Sequence, residues 1–429
     1  MGIYENRMED AITITRLANG LRVASLPMPG VETAAVALWV DVGARHELAE
    51  QNGLAHFVEH MMFKGTERRT AVQIAEEFDA VGGQLNAYTS REHTVYHAKV
   101  LKEHLEVAMD IIADIVFNAT IEPSELERER GVVLQELAQA EDDPDDLVFE
   151  FAQGKSFPGH PLGRPILGTP ELVKQFTRED MQNYLRHHYF PENMVLAVAG
   201  NIRHADVMAL AEVHFKGKDN RGSSAHLAAE YKGGSAIIER DLEQLHLLLS
   251  FKSVSFHHPD YYALQMLSTI LGGGMSSRLF QEVREKRGLC YAIQPYISYY
   301  ADTGLFSIYA GTAADKGEEL LRVVAEQMRD LTENVTEAEM QRARAQLKAS
   351  LFMEKESAAA QAEELGRQIM CYNRPIPTQE MVEAIEKVTI ADIRRLTAEL
   401  LASEPTLAAI GNIEHMPDFE TVQKQLRIS

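Results

Sequence analysis

NMVLAVAGNI at residues 193–202 and EPTLAAIGNI at 404–413 are two apolar, strand-like runs that end in the same tripeptide, Gly-Asn-Ile. IEPSELERERGVVLQEL at 121–137 and VTEAEMQRARAQLKASL at 335–351, both helical in pattern, repeat at nearly the same offset. Two different elements recurring at one period, about 210 residues, mean that the chain contains one structural unit twice. The stretch GKDNRGSSAHLAAEYKGGS at 217–235 is rich in small and polar residues and falls between the copies. It is the expected linker, with one domain at 1–216 and the other at 236–429.

Within each copy, strands come first and helices follow. VETAAVALWVDVG (31–43) and QLNAYTSREHTVYHAKV (84–100) show strand-like alternation, and EQLHLLLSFKSV (243–254) and CYAIQPYISYYADTGLFSIYAG (290–311) resemble them in the second copy. Helical periodicity dominates 102–117, 122–142, 315–331 and 336–370. Segregated sheet and helix predict an α+β fold of two similar α/β-sandwich halves, each a mainly antiparallel sheet flanked by helices.

The bulk properties set limits on function. The 429 residues, 45% of them hydrophobic, can bury a core large enough for two or three domains. With 42 basic against 64 acidic residues the formal charge is −22, which argues against general affinity for nucleic acid or anionic membrane and would steer a cationic partner toward the chain. Cys290 and Cys371 lie far apart without metal-ligand spacing, so both are read as reduced core residues. The N-terminal MGIYENRMEDAIT lacks signal-peptide or transit character, and no run approaches about 18 apolar residues. The expected compartment is the cytoplasm.

The chemistry begins at His56-Phe57-Val58-Glu59-His60. On a helix, positions i and i+4 share a face, so both imidazoles can converge on one cation while Glu59 reaches a water beside it. Leu54, Phe57, Val58, Met61 and Met62 surround this polar trio with apolar residues, where packing is a poor explanation for it, the bland alternative being a pair of solvated or core histidines. A catalytic zinc needs a third protein ligand, and the acidic helical stretch SELERERGVVLQELAQAEDD offers several carboxylates. Glu129 and Glu136 lie two helical turns apart on one face, and Glu129 could orient a histidine. Taken alone, any single Glu in so acidic a helix is better read as part of a solvated face.

HFVEH followed by Glu136 resembles the inverzincin metallopeptidases of the insulinase and pitrilysin family, closest to the bacterial relatives of the catalytic subunit of mitochondrial processing peptidase. The resemblance extends through NGLAHFVEHMMFKGT, GGQLNAYTSREHTVYHAKV, ERERGVVLQEL, HPLGRPILGT, YFPENMVLAVAGNI and LGGGMSSRLFQEVREKRGLCYAI, in family order. It implies zinc held by His56, His60 and Glu136, Glu59 as general base, Glu129 as a supporting acid, and two halves enclosing a peptide chamber. The second half departs from this pattern: aligned through ERERGVVLQE and QRARAQLKAS, Glu129 meets Ala343 and Glu136 meets Ser350. Only the first half is expected to bind zinc.

Other positions bear on substrate. Gly272, Gly273 and Gly274 could let a backbone approach a ligand or form a plain flexible turn. Arg287 and Tyr291 could hydrogen-bond a peptide carbonyl and its developing oxyanion, and the resemblance implies that such a pair completes the active site. The strand QLNAYTS could add an extended peptide to its edge, and the resemblance places Asn86, Ala87 and Tyr88 beside the cleaved bond. It also implies an apolar wall from Phe63 for the residue after that bond. Asp146 and Glu150, spaced i and i+4, match acids that hold an arginine near the cleavage site, a task suited to paired carboxylates. These readings predict a zinc endopeptidase for unfolded, presequence-like peptides, acting as a homodimer or with a related chain. A general oligopeptide-degrading enzyme and a non-catalytic scaffold are the alternatives.

Overall fold

A computed structural model describes residues 12–216 and 227–428. The N-terminal residues 1–11 and residues 217–226 of the expected linker lie outside the described residues; 227–233 run without regular structure into a strand that starts at Gly234. The chain forms two compact units, and neither is a single stretch of sequence. Unit 1 comprises 1–137, 165–226 and 352–378, and unit 2 comprises 138–164, 227–351 and 379–429.

Unit 1 is built on β1 (Thr13–Arg16), β2 (Arg22–Pro27), β3 (Thr33–Val40), β4 (Gln84–Thr89), β5 (Thr94–Leu101) and β6 (Met194–Gly200), in the order β1-β2-β6-β3-β5-β4. Unit 2 carries β7 (Gly234–Glu239), β8 (Leu245–Ser253), β9 (Cys290–Tyr299), β10 (Gly304–Thr312) and β11 (Thr406–Gly411), in the order β7-β11-β8-β10-β9. With β1 set aside the two orders are the same. In each unit the first strand pairs parallel with the last, and the remaining neighbours are antiparallel. The duplicated α+β architecture expected from the sequence is therefore present strand for strand.

The repeated Gly-Asn-Ile has a local cause. Gly200 and Gly411 end equivalent strands with φ of 134° and 135°, a region that L side chains rarely adopt. A Cβ at Gly200 would also lie 2.3 Å from the Thr33 carbonyl oxygen, and one at Gly411 2.6 Å from that of Gln244. Both copies need glycine where the strand turns away from its neighbour.

Two helices pack against the sheet of the other sequence half. Helix Pro144–Ser156 lies on β7, β8 and β11, burying Val148 and Ala152 against Leu248, Ala408 and Ile410. Helix Ala358–Tyr372 lies on β2, β3 and β6, burying Ala358, Ala362, Leu365 and Ile369 against Ala35, Ala37 and Trp39. The periodicity at 336–370 resolves into this helix and Glu337–Glu354, because Ser357 takes an extended conformation and its side chain caps the second helix at the Ala360 N–H. The single strand-like stretches at 84–100 and 290–311 are each a hairpin. Cys290 and Cys371 are half-buried and sit in different units, short of the core positions expected for them.

Candidate metal centre

Helix Leu54–Met62 carries the HFVEH segment, and Leu54, Phe57, Val58, Met61 and Met62 are all fully buried around it. Its start is fixed from outside the helix. Gly53 adopts φ 96° against the backbone of Leu167 and Gly168, and the buried Glu47 accepts hydrogen bonds from Gly53 N at 3.0 Å and Ala55 N at 2.7 Å. A carboxylate on otherwise unpartnered N-terminal amides satisfies them and complements the positive end of the helix dipole. The orientation of both histidines therefore depends on a residue that lies before the motif.

Helix Pro123–Glu141 supplies the facing carboxylates. Leu126, Val133 and Leu137 form its buried stripe, and Glu129, only 4% exposed, occupies a place in that stripe. In the second copy the corresponding Ala343 is buried and Ser350 is exposed. There the core stripe is apolar and the ligand position faces away from it.

The functional atoms converge within unit 1. His56 Nε2 and His60 Nε2 are 3.2 Å apart, and the Glu136 carboxylate oxygens lie 3.5 Å from His56 Nε2 and 3.3 Å from His60 Nε2. One potential ligand atom from each of these three residues falls within 4.8 Å of the others, a grouping of three His, Cys, Asp or Glu side chains found nowhere else among the described residues. Glu129 accepts from His60 Nδ1 at 2.8 Å and from Lys64 Nζ at 2.6 Å, leaving His60 Nε2 turned toward His56 and Glu136. Two imidazole nitrogens and a carboxylate oxygen, with the second nitrogen of one ring fixed by a carboxylate, are the donor set of a catalytic zinc site, so these residues fit that metal.

The charges agree with this reading. Burial would lower the His60 pKa, but hydrogen bonds from the ring to Glu129 and Glu136 outweigh it and push the group up to about 9. Hydrogen bonds from His56 and His60 hold Glu136 well below the ordinary carboxylate range, against the effect of burial. Burial would raise Glu129, yet its bonds to His60 and Lys64 keep it low. The cluster thus holds concentrated negative charge that a proton, or a cation in its place, neutralises.

Glu59 is buried on the same turn as His60, and its Oε2 accepts from Thr89 Oγ1 at 2.6 Å. Thr89 is the last residue of β4, the edge strand of the sheet. Asn86, Ala87 and Tyr88 lie on this edge strand, paired through β5 with His97, Tyr96 and Val95. The Ala87 N–H is held by the Asn86 side chain at 2.9 Å, and the Tyr88 hydroxyl donates to Glu363 at 2.7 Å. Phe63 lines a cavity of about 890 Å³ with Lys64, Ile74, Phe78, Leu85 and Asn86.

The remaining candidate residues belong to unit 2. A Cβ at Gly272 would lie 2.1 Å from the Pro295 ring and one at Gly273 2.7 Å from Thr269 Cα, so packing accounts for both glycines; at Gly274 the nearest atom is Gln346 Nε2 at 3.1 Å. Arg287 donates from Nη1 to the Glu282 carbonyl at 2.7 Å and carboxylate at 2.6 Å. The guanidinium over the exposed Tyr291 ring is that of Arg284, 5.0 Å from its centroid. Asp146 and Glu150 share helix Pro144–Ser156, and burial together with Asp143, Asp145 and Glu150 raises the Asp146 pKa. Sequence reasoning missed Glu47, Lys64, Thr89 and Arg284 as participants. Thr89, Lys64 and Arg284 stand inside stretches that resemble the family, whereas Glu47 leaves no local signature.

Comparison with known proteins adds independent findings. Residues 22–170 match a family described as Insulinase (Peptidase family M16), and residues 175–347 match one described as Peptidase M16 inactive domain. The chain is 42% identical over 405 residues to an "Uncharacterized zinc protease" of Rickettsia felis, covering 94% of this chain and 98% of the relative. It is 37% identical over 428 residues to "Mitochondrial-processing peptidase subunit beta" of Mus musculus, covering 96% and 87%. In fold it is similar to the crystal structure of a protease from Helicobacter pylori, with a TM-score of 0.88, 22% identity and coverage of 93% and 99%.

Proposed function

The chain belongs to the insulinase family of M16 peptidases, and on that premise we propose that it is a zinc metalloendopeptidase cleaving unfolded, presequence-like peptides with Arg before the scissile bond. The observation that carries the reading is the convergence of His56, His60 and Glu136 ligand atoms within 4.8 Å. These three residues hold zinc, which when bound supplies Lewis-acid polarisation of a peptide carbonyl and makes water more acidic. The relative from Rickettsia felis is named a zinc protease, which supports this choice of metal.

Each of the chain's own residues then has a task. Glu59, buried and one position before His60, takes a proton from the attacking water and delivers it to the leaving amine. Glu129 fixes the ring of His60 through Nδ1. An extended substrate adds to the edge of β4 at Asn86, Ala87 and Tyr88, which requires the Ala87 N–H to exchange its bond to the Asn86 side chain for one to the peptide. Phe63 and the cavity it lines receive the apolar side chain after the cleaved bond. Arg287 and Tyr291, with Arg284 on the face of Tyr291, hydrogen-bond the peptide, and Asp146 with Glu150 pairs with a substrate guanidinium. The name of the mouse relative supports the presequence-like preference.

Mass-spectrometric mapping of cleavage sites in a mixed peptide library, with and without chelator, tests this reading. The expected result is chelator-sensitive cleavage inside peptides, with Arg enriched before the bond and bulky apolar residues after it. Chelator-sensitive cleavage without an Arg preference would assign the chain to general oligopeptide degradation, and no cleavage of any peptide would overturn the enzymatic reading.

A further inference from the structure

We propose that Thr89 is a positioning residue for the general base, and that through it β4 aligns the base and the bound peptide with one strand. The inference rests on the reading of Glu59 as base. Its observation is separate: Thr89 Oγ1 donates to Glu59 Oε2 at 2.6 Å, a short contact within the range of a charge-assisted O–H···O⁻ bond. Glu59 is 9% exposed, so water contributes little to fixing its carboxylate, and a carboxylate with two or more accessible rotamers would spend part of its time misdirected.

The placement of Thr89 gives the bond its consequence. It closes β4, where it pairs with Thr94 of β5, and the following turn is pinned by reciprocal bonds between Ser90 and His93. The hydroxyl therefore hangs from a paired strand end. Two residues earlier, the Ala87 N–H, bonded to the Asn86 side chain and not to β5, lies on the free edge of that strand, where an extended peptide would be bound. A peptide hydrogen-bonded to β4 and a carboxylate hydrogen-bonded to Thr89 are thus held by one stretch of backbone, so the distance from base to scissile bond is set by strand geometry. Thr89 touches no reacting atom; it acts through Glu59.

The test compares Thr89→Val, Thr89→Ser and Glu59→Gln in the full-length zinc-loaded protein, with a fluorogenic peptide as substrate and zinc measured by elemental analysis. Valine is nearly isosteric and removes only the hydroxyl. Loss of one hydrogen bond to a charged group predicts that Thr89→Val lowers kcat about tenfold or more, with KM changed less than about threefold and zinc stoichiometry unchanged. Thr89→Ser restores the hydroxyl and should recover kcat to within about threefold of wild type. Three results would overturn the proposal: a Thr89→Val kcat within twofold of wild type, a loss carried by KM or by zinc content, or a loss that serine does not recover. Glu59→Gln separates the two levels of failure. If it is inactive while Thr89→Val is normal, only the positioning role falls; if it cleaves at the wild-type rate, the base assignment falls and the proposal with it.

Discussion

Replacing Glu129 by alanine removes two charge-assisted contacts at a site only 4% exposed: the 2.8 Å bond from His60 Nδ1 and the 2.6 Å bond from Lys64 Nζ. The first fixes which ring nitrogen of His60 faces His56 and Glu136, and the second leaves a lysine that is 30% exposed without its carboxylate. Loss of such a partner weakens metal affinity about 10- to 100-fold, equivalent to about 1.4–2.7 kcal/mol. Glu129→Gln keeps an oxygen acceptor for the Nδ1–H and discards the charge, so its effect should fall between wild type and alanine. Lys64→Met leaves the full carboxylate charge on His60, and zinc binding should hold or tighten. Competition between metal-free protein and a chromophoric chelator gives the zinc Kd without reference to activity, and circular dichroism checks that each variant is folded. A folded Glu129→Ala protein with a zinc Kd within twofold of wild type would refute the claim that Glu129 orients His60.

Three further outcomes follow from other contacts. Gly366→Ala places a Cβ 2.3 Å from Trp39 Nε1 where helix Ala358–Tyr372 crosses β3; an overpacking cost of about 1–3 kcal/mol should exceed the gain of about 1 kcal/mol in helix propensity, and a raised Tm would refute this packing. Burial would raise the Asp110 carboxyl, but hydrogen bonds from Arg68 and Arg69 outweigh it and hold the group at about 2. Because the folded value lies below the unfolded value of about 3.9, its contribution is complete above that pH and is lost as pH falls toward the folded value. Urea unfolding at neutral and acid pH should show Asp110→Asn losing less stability on acidification than wild type. Asp146→Asn combined with Glu150→Gln should lower the kcat/KM ratio of matched Arg and Ala peptides by at least about tenfold, since charge-assisted pairing with a carboxylate is worth roughly 1.5–3 kcal/mol; an unchanged ratio removes both acids from the specificity site.

What the sequence made legible was local or periodic. The pairing of His56 with His60 follows from four-residue helical geometry, and the duplication was visible in the repeated Gly-Asn-Ile, whose glycines at 200 and 411 take a φ that L side chains rarely adopt. Glu136 was one carboxylate among many in an acidic helix until family resemblance singled it out, although Glu129 interrupts an otherwise apolar stripe of Leu126, Val133 and Leu137. Of the contacts that no pattern announced, Glu47 capping helix Leu54–Met62 is near in sequence, whereas Thr89 reaching Glu59 across 30 positions and Tyr88 reaching Glu363 join distant parts of the chain. The exchange of helices Pro144–Ser156 and Ala358–Tyr372 was equally hidden, because an amphipathic face shows that a helix must be covered and leaves open which sheet covers it. Arg287 and Tyr291 were paired by spacing, whereas Tyr291 lies beneath Arg284 and Arg287 is bonded to Glu282.

The central claim is that Glu59 performs chemistry beside a metal that His56, His60 and Glu136 hold, and zinc content measured together with peptide turnover in purified Glu59→Gln tests it most directly. Glutamine preserves the size of the side chain and its acceptor for Thr89, and residue 59 is none of the three ligands, so the protein should carry as much zinc per chain as wild type. Turnover should fall by about 100- to 10,000-fold, the contribution of a general base. A zinc-loaded Glu59→Gln protein that cleaves peptides at the wild-type rate would contradict the account.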